Sequence, residues 1–418
     1  METVRRQLPV VGSNGINLLR QYIHIRSGRR VSRPSQIYVN VNQRCNLQCK
    51  YCDNWKSDGS NELPKQTWLR ALDDLLSWAR RPKVNISGGE PLMRKDIYEI
   101  LDLCVQKGAL TGVVSNGYYF TPKPAPRIAG LGLTNINISI DSLDPAVFDV
   151  IRVNGRAGHT GRVVESIQRI AHEVRRQGAD TKIYLKTVIT GANLGSLVPL
   201  VEFVEENGLD GIMFQPLEAV FGRREDFGDD WFRRTDLWPD DPALAGAAVA
   251  QLAELKAAGA PIMNPSGHIA AWAPYFRDPL AGATGQIEGT GTCTIGHSHL
   301  YLNFNGDIHL CWDFPPIGNI ASALASQQWI SAGAEDVRRD IAECTKPCTK
   351  TCLLDRGLKE TVSAYRQLVA PRSRDEVAAA GDLRLDLRHG DGTGPHAEPA
   401  SESPATWTPV TLGASDHH

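Results

Sequence analysis

Three cysteines within eight residues, Cys45-Asn46-Leu47-Gln48-Cys49-Lys50-Tyr51-Cys52, constrain this chain more than any other stretch. They follow a β-like run, Ile37-Tyr38-Val39-Asn40-Val41, so a strand delivers them together at its C-terminal end. Thiolates at C-x3-C-x2-C spacing can turn inward around one metal centre, but three fill neither a four-iron cube nor a zinc tetrahedron. Either a fourth ligand comes from elsewhere or one metal position stays open for chemistry. The spacing alone also suits a structural zinc knuckle or unrelated core thiols.

Nine cysteines, an odd number concentrated in two places, in a chain of 418 residues point to metal or redox chemistry in a reducing cytoplasm. Cys104 stands apart, on the apolar stripe of a predicted helix, and reads as a packed core thiol. A formal charge of −2 gives no footprint for nucleic acid or for a polybasic membrane face. No apolar run has the length of a membrane span, and Met1–Arg6 lacks a signal-peptide core.

From residue 35 strand and helix patterns alternate. Strand-like runs are Gln36–Val41, Lys83–Ile86, Gly112–Ser115, Asn135–Ile140, Lys182–Ile189 and Gly211–Gln215. Helical periodicity marks Thr67–Arg80, Asp96–Lys107, Thr160–Gln177 and Ser196–Asn207, three of them stopped by Gly108, Gly178 and Gly208. Repeated β-α units predict an α/β fold, a partial (β/α)6 barrel with right-handed crossovers. Such folds gather ligands at the C-terminal ends of their strands. There stand the cysteine loop, Ser87-Gly88-Gly89-Glu90-Pro91, Ser115-Asn116-Gly117, Ser139 with Asp141, and Gln215-Pro216-Leu217-Glu218. Lys186, on the fifth strand, faces either this site or solvent.

Cys45, Cys49 and Cys52, with aromatic Tyr51, followed by Gly88-Gly89-Glu90-Pro91, resemble the radical S-adenosylmethionine (radical SAM) enzymes. That resemblance implies a [4Fe-4S] cluster on the three cysteines, its fourth iron chelated by S-adenosylmethionine. Reductive cleavage then gives a 5'-deoxyadenosyl radical that takes a hydrogen atom from substrate. It also implies backbone contacts from Gly88, Gly89, Glu90 and Pro91 to the cofactor's ammonium group, and ribose contacts from Ser139 and Asp141. Tyr51, Ser115, Asn116 and Lys186 become further cofactor-lining candidates, and a flavodoxin or ferredoxin the expected reductant.

The second constellation is Cys293, Cys311, Cys344, Cys348 and Cys352. His299–Leu310 reads as a β-hairpin turning at Asn305-Gly306 and ending in Cys311. Cys293-x12-Gly306-x4-Cys311 followed by Cys344-x3-Cys348-x3-Cys352 resembles the SPASM/twitch extension of radical SAM enzymes. Two complete auxiliary clusters need about seven or eight thiolates, so five imply one auxiliary [4Fe-4S] cluster. Cys293 and Cys311 are the firm ligands, the other pair coming from Cys344, Cys348 and Cys352. Five cysteines near a hairpin also suit a structural zinc site. His297, His299 and His309 read as strand or loop residues.

The expected organisation is an N-terminal extension over 1–34 with a short helix around Leu18–Ile25, and a barrel core over 35–218. A bridging, substrate-facing region follows over 219–292, then an auxiliary-cluster domain over 293–370 and a disordered tail over 371–418. Glu218 and Asp313 are candidate general bases. The chain is expected to be an oxygen-sensitive enzyme of natural-product biosynthesis. Its substrate would be a small polar intermediate (sugar, aminocyclitol or nucleoside) undergoing oxidation, epimerisation or decarboxylation. The alternative substrate is a ribosomally made peptide, disfavoured because residues 1–34 are too short for a winged-helix leader-binding domain. The rival outside the enzyme class is a non-catalytic iron–sulfur or zinc-binding module.

Overall fold

A computed structural model describes residues 2–153, 155–219, 228, 230–280 and 293–344. Cys348, Cys352 and the predicted tail lie outside the described residues. Helix α1 (Glu2–Ser27) is much longer than the short helix expected, and Gly28 ends it with φ at 67°. The core then runs β1 (Gln36–Asn40), α2 (Lys65–Ala79), β2 (Lys83–Ser87), α3 (Ile97–Gln106), β3 (Leu110–Ser115), α4 (Pro124–Ala129) and β4 (Asn135–Ser139). It continues through α5 (Pro145–Arg152), α6 (His159–Arg176), β5 (Lys182–Ile189), α7 (Leu197–Glu206) and β6 (Gly211–Pro216). Beyond it come α8 (Pro242–Ala257), α9 (Ser266–Arg277), β7 (His299–Leu302), β8 (Asp307–His309), β9 (Gly318–Asn319), α10 (Ala325–Trp329) and α11 (Ala332–Ala342).

Strands β1 to β6 are parallel and lie in sequential order, as right-handed β-α units require. Alternate residues Val84, Ile86, Ile136, Ile138, Ile183 and Leu185 are fully or almost fully buried in the core shared with the helices. Their strand neighbours Asn85, Asn137 and Tyr184 occupy the other face. On α2 the buried side chains Trp68, Leu72, Leu75, Leu76 and Ala79 repeat at helical spacing. Helix α5 escaped the periodicity reading because it is short. Its start is nonetheless signalled by Asp144-Pro145, where the Asp144 carboxylate accepts from Ala146 N at 2.8 Å.

Both edges of this six-stranded unit are covered. Strand β7 pairs parallel with β1 in the register Gln36↔His299, and β8 and β9 follow antiparallel, giving nine strands in the order β6-β5-β4-β3-β2-β1-β7-β8-β9. The predicted hairpin is therefore present but continues the barrel sheet, because the outer edge of β1 would otherwise expose a row of unpaired backbone groups. At the other edge Ile262 bridges Ile212, and the Asn264 side chain accepts from Phe214 N and donates to Phe214 O. The expected bridging region thus lines β6. Among the described residues no helix is long and apolar enough to cross a membrane.

The C-terminal segment is tied to the start of β1 through Trp329, fully buried, whose Nε1 donates to Ser32 O at 2.9 Å. The Arg338 guanidinium lies 4.7 Å from its ring centroid, and Arg338 Nη2 donates to Trp329 O at 2.9 Å. Trp329→Ala is expected to lower unfolding free energy by about 3–5 kcal/mol in denaturant titration. Trp329→Phe should cost less, since it strands the Ser32 carbonyl without opening a large cavity.

Candidate cofactor and active site

The cysteine loop leaves the C-terminal end of β1 and is zipped to the loop after β2. Gly89 N donates to Asn42 O and Glu90 N to Arg44 O, each at 2.9 Å, and Asn42 Nδ2 donates to Glu90 O at 2.8 Å. A Cβ on Gly88 would stand 2.4 Å from Asn42 O, and one on Gly89 would stand 2.3 Å from Gln43 O and Arg44 O. Both glycines are therefore demanded by the packing of one loop on the other, and Gly88, with φ at 152°, also by its backbone.

The Glu90 carboxylate is fully buried. It accepts from Ser115 Oγ at 3.0 and 3.1 Å, from Asn116 N at 2.8 Å and from Leu92 N at 3.0 Å. Burial pushes it up to about 7, against the pull of those donors. Asn116 in turn aims its Nδ2 at Cys45 Sγ, 3.7 Å away, and at Asn46 Oδ1, 2.9 Å away. Glu90 and Ser115 thus hold the loops in place, and Asn116 is the member of this set that reaches the thiols.

Cys45, Cys49 and Cys52 pack in one apolar cluster with Leu47, Val153 and Tyr51. Burial pushes the Cys45 thiol up to about 11 and Cys49 up to about 12, and raises Cys52 as well. Burial therefore favours the thiol over the thiolate until a cation replaces the protons. Among the described residues no three His, Cys, Asp or Glu side chains are gathered tightly enough for a single metal ion. Three clustered thiols, an amide N–H directed at one of them and the buried Asn46 Nδ2, without a hydrogen-bond partner, suit a sulfur-rich cluster that accepts N–H bonds.

Next to the thiols lies a buried ion pair. Asp141, fully buried, accepts from Tyr51 OH at 2.7 Å, from Arg152 Nη2 at 3.0 Å and from Val188 N at 2.9 Å, while Arg152 Nε stands 2.8 Å from its second oxygen. Burial pulls Arg152 down, but Asp141, Tyr51 and Cys49 together outweigh it and hold the guanidinium above its usual range. Burial likewise raises Tyr51 well above the ordinary phenol value. The expectation that Asp141 binds a ribose is corrected: both its oxygens are engaged inside the protein. Arg152 was missed because it sits on α5. Ser139 and Lys186 are register partners on β4 and β5, half-buried at the same end of the sheet as the cysteine loop.

Tyr51, Lys50, Lys56, Glu218, Trp231 and Arg234 line a cleft of about 350 Å³ beside this loop. Glu218 thus lines the same cleft as Lys50 and Tyr51 of the cysteine loop. Asp313 does not. Strand β8 runs back along β7 in the register Tyr301↔His309, so Cys311 and Asp313 lie toward the end of the sheet where β1 begins. There Cys311 Sγ contacts Asp313 Oδ2 at 3.7 Å. Asp313 as a base at the Cys45–Cys52 site is accordingly corrected. Cys293 also precedes β7 at that end, and Cys344 follows α11, whose Arg338 donates to Gly296 O at 2.9 Å. The topology brings these cysteines to one end of the sheet, opposite the first three.

Comparison with known proteins adds a likeness over part of the chain. The profile described as the Radical SAM superfamily matches residues 39–204. The mitochondrial GTP 3',8-cyclase of Arabidopsis thaliana is 37% identical over 31% of this chain and 33% of its own length. The PqqA peptide cyclase of Ruegeria pomeroyi is 28% identical over 43% of this chain and 46% of its own length. The chain thus spans a third to a half of these two curated relatives. SuiB of Streptococcus suis, solved with its precursor peptide SuiA, shares the fold at a TM-score of 0.56 and 17% identity, over 77% of this chain and 70% of SuiB. Residues 39–204, which carry the three thiols at the end of β1, thus match the Radical SAM superfamily, and the chain shares its fold with SuiB.

Proposed function

We propose that this protein is a radical SAM enzyme that modifies a ribosomally made peptide and carries one auxiliary cluster. The clustering of Cys45, Cys49 and Cys52 beside an open cleft carries the enzymatic reading. The similarity to a peptide cyclase and to SuiB supports the peptide over the small polar molecule first expected. The 37% identity to a GTP cyclase favours a small molecule but covers only 139 residues. When bound, the cluster and S-adenosylmethionine supply hydrogen-atom abstraction from an unactivated C–H bond.

The protein's part is placement. Cys45, Cys49 and Cys52 would hold the cluster, and the Gly88–Pro91 loop would offer backbone groups to S-adenosylmethionine. Asn116 donates to a cluster-bearing sulfur, and Ser139 and Lys186 offer polar groups to the cofactor. Arg152 supplies positive charge beside the Cys49 thiolate, in a place where burial otherwise disfavours one. Lys50, Glu218 and Arg234 offer charged partners to a peptide in the cleft. Cys293, Cys311 and members of Cys344, Cys348 and Cys352 hold the auxiliary cluster, and a small reduced electron carrier feeds the reaction.

Reconstituted anaerobically and reduced, the protein is expected to convert S-adenosylmethionine to 5'-deoxyadenosine, with Cys45→Ala at background. The triple Cys45/Cys49/Cys52→Ala variant should retain about four irons. A short peptide encoded beside its gene should be modified in mass spectrometry. Turnover stimulated only by nucleotides or sugars would sink the peptide reading.

Ser139→Ala is expected to weaken S-adenosylmethionine binding without altering stability. Asp141→Asn leaves the Arg152 charge buried without its partner and should cost about 3–5 kcal/mol in unfolding. The two are told apart by running calorimetric binding and denaturation on each.

The raised Glu90 value gives a pH signature. A carboxyl whose folded value is about 7 against an ordinary 4.5 binds its proton more tightly when folded. Its contribution to stability is full below 4.5 and is lost as pH rises through about 7. The melting temperature of the apoprotein should fall across this window, and Glu90→Gln should flatten that fall.

A further inference from the structure

Helix α1 is inside out. Asn17, Gln21 and His24, at 6%, 8% and 2% exposed, face the body of the protein, while Ile16, Leu18, Leu19, Tyr22 and Ile25 are 44–59% exposed. The inward side is held by polar contacts, His24 Nδ1 to Ser32 Oγ at 2.6 Å and Nε2 to Glu335 Oε2 at 3.1 Å. A surface helix ordinarily shows the reverse distribution, and a contiguous apolar stripe left outward marks a docking face.

The charge around it says what docks. Residues 1–34 carry seven arginines against the single carboxylate of Glu2, in a chain whose formal charge is −2. The Arg26 guanidinium lies over the Tyr22 ring at 5.6 Å, within the stripe, and Arg29 and Arg30 are exposed just beyond its end. A second copy of this helix would bring arginine against arginine. An amphipathic segment bearing carboxylates satisfies both the stripe and the guanidinium.

We propose that α1 docks an acidic, amphipathic helical segment of the peptide substrate, by Ile16, Leu19, Tyr22 and Ile25, with Arg26 taking a carboxylate. This rests on the peptide reading above. It places recognition near the beginning of β1, where Gln21 reaches Ser35, away from the Cys45–Cys52 loop.

The test is fluorescence anisotropy on the full-length protein with a labelled amphipathic Leu/Glu helix and its Leu/Lys counterpart. The Leu/Glu peptide is expected to bind, more weakly as salt rises, and the Leu/Lys peptide not to bind. Leu19→Glu, at an exposed position, should keep the melting temperature and weaken binding roughly tenfold, the worth of one buried leucine. Arg26→Glu should shift preference toward the Leu/Lys peptide. Equal binding by wild type and Leu19→Glu overturns the proposal. So does Leu19-dependent sedimentation with phosphatidylglycerol vesicles in place of peptide binding, or a Leu19-dependent dimer in ultracentrifugation. Formation of 5'-deoxyadenosine without substrate should be unchanged in Leu19→Glu. A failed dock therefore leaves the enzymatic reading standing. Leu19-dependent peptide binding with no peptide modified would instead discredit the substrate reading alone.

Discussion

The site depends on a backbone-to-backbone seam between the first two strand-end loops. Asn42 and Arg44 offer carbonyls to Gly89 and Glu90, and the seam closes only because no Cβ stands at Gly88 or Gly89. From it the buried Glu90 carboxylate reaches a third loop through Ser115 and Asn116, and Asn116 reaches Cys45. Three loops from three strands are so held by short hydrogen bonds, none involving a mobile surface side chain. Such a frame holds the three-thiol loop in one arrangement.

Beside that frame the protein buries charge. Taking Asp141 and Arg152 out of water is costly, and the pair persists because Asp141 is held by Tyr51, Val188 and Arg152 while the guanidinium also lies by the Tyr51 and Phe148 rings. The arrangement puts a fixed guanidinium next to a thiol that burial alone would keep protonated. The guanidinium opposes that burial, but Asp141 and the neighbouring sulfurs work with it, so the Cys49 thiol stays raised.

The sheet also separates the two cysteine groups. Because β7 runs parallel to β1 and β8 returns antiparallel, Cys45–Cys52 emerge at one end and Cys293 and Cys311 at the other. The same pairing seals the β1 edge, so one hydrogen-bonded ladder both completes the sheet and sets where the second thiol group stands. Helix α1 and the Trp329 anchor gather at that second end as well.

By itself the sequence determined the local features: six β-α repeats, the cysteine loop at a strand end, the Asn-Gly hairpin and the glycine stops. Each of these is written in periodicity or spacing over a few residues. Tertiary structure alone decided that Asp141 faces Arg152 and Tyr51, that Asp313 stands away from Glu218, that the hairpin joins the barrel and that α1 turns its apolar side outward. These depend on partners 11 to more than 200 residues away, which no local pattern reports. A carboxylate at a strand end has the same sequence signature whether it meets a cofactor or a buried arginine, and only packing tells the two apart.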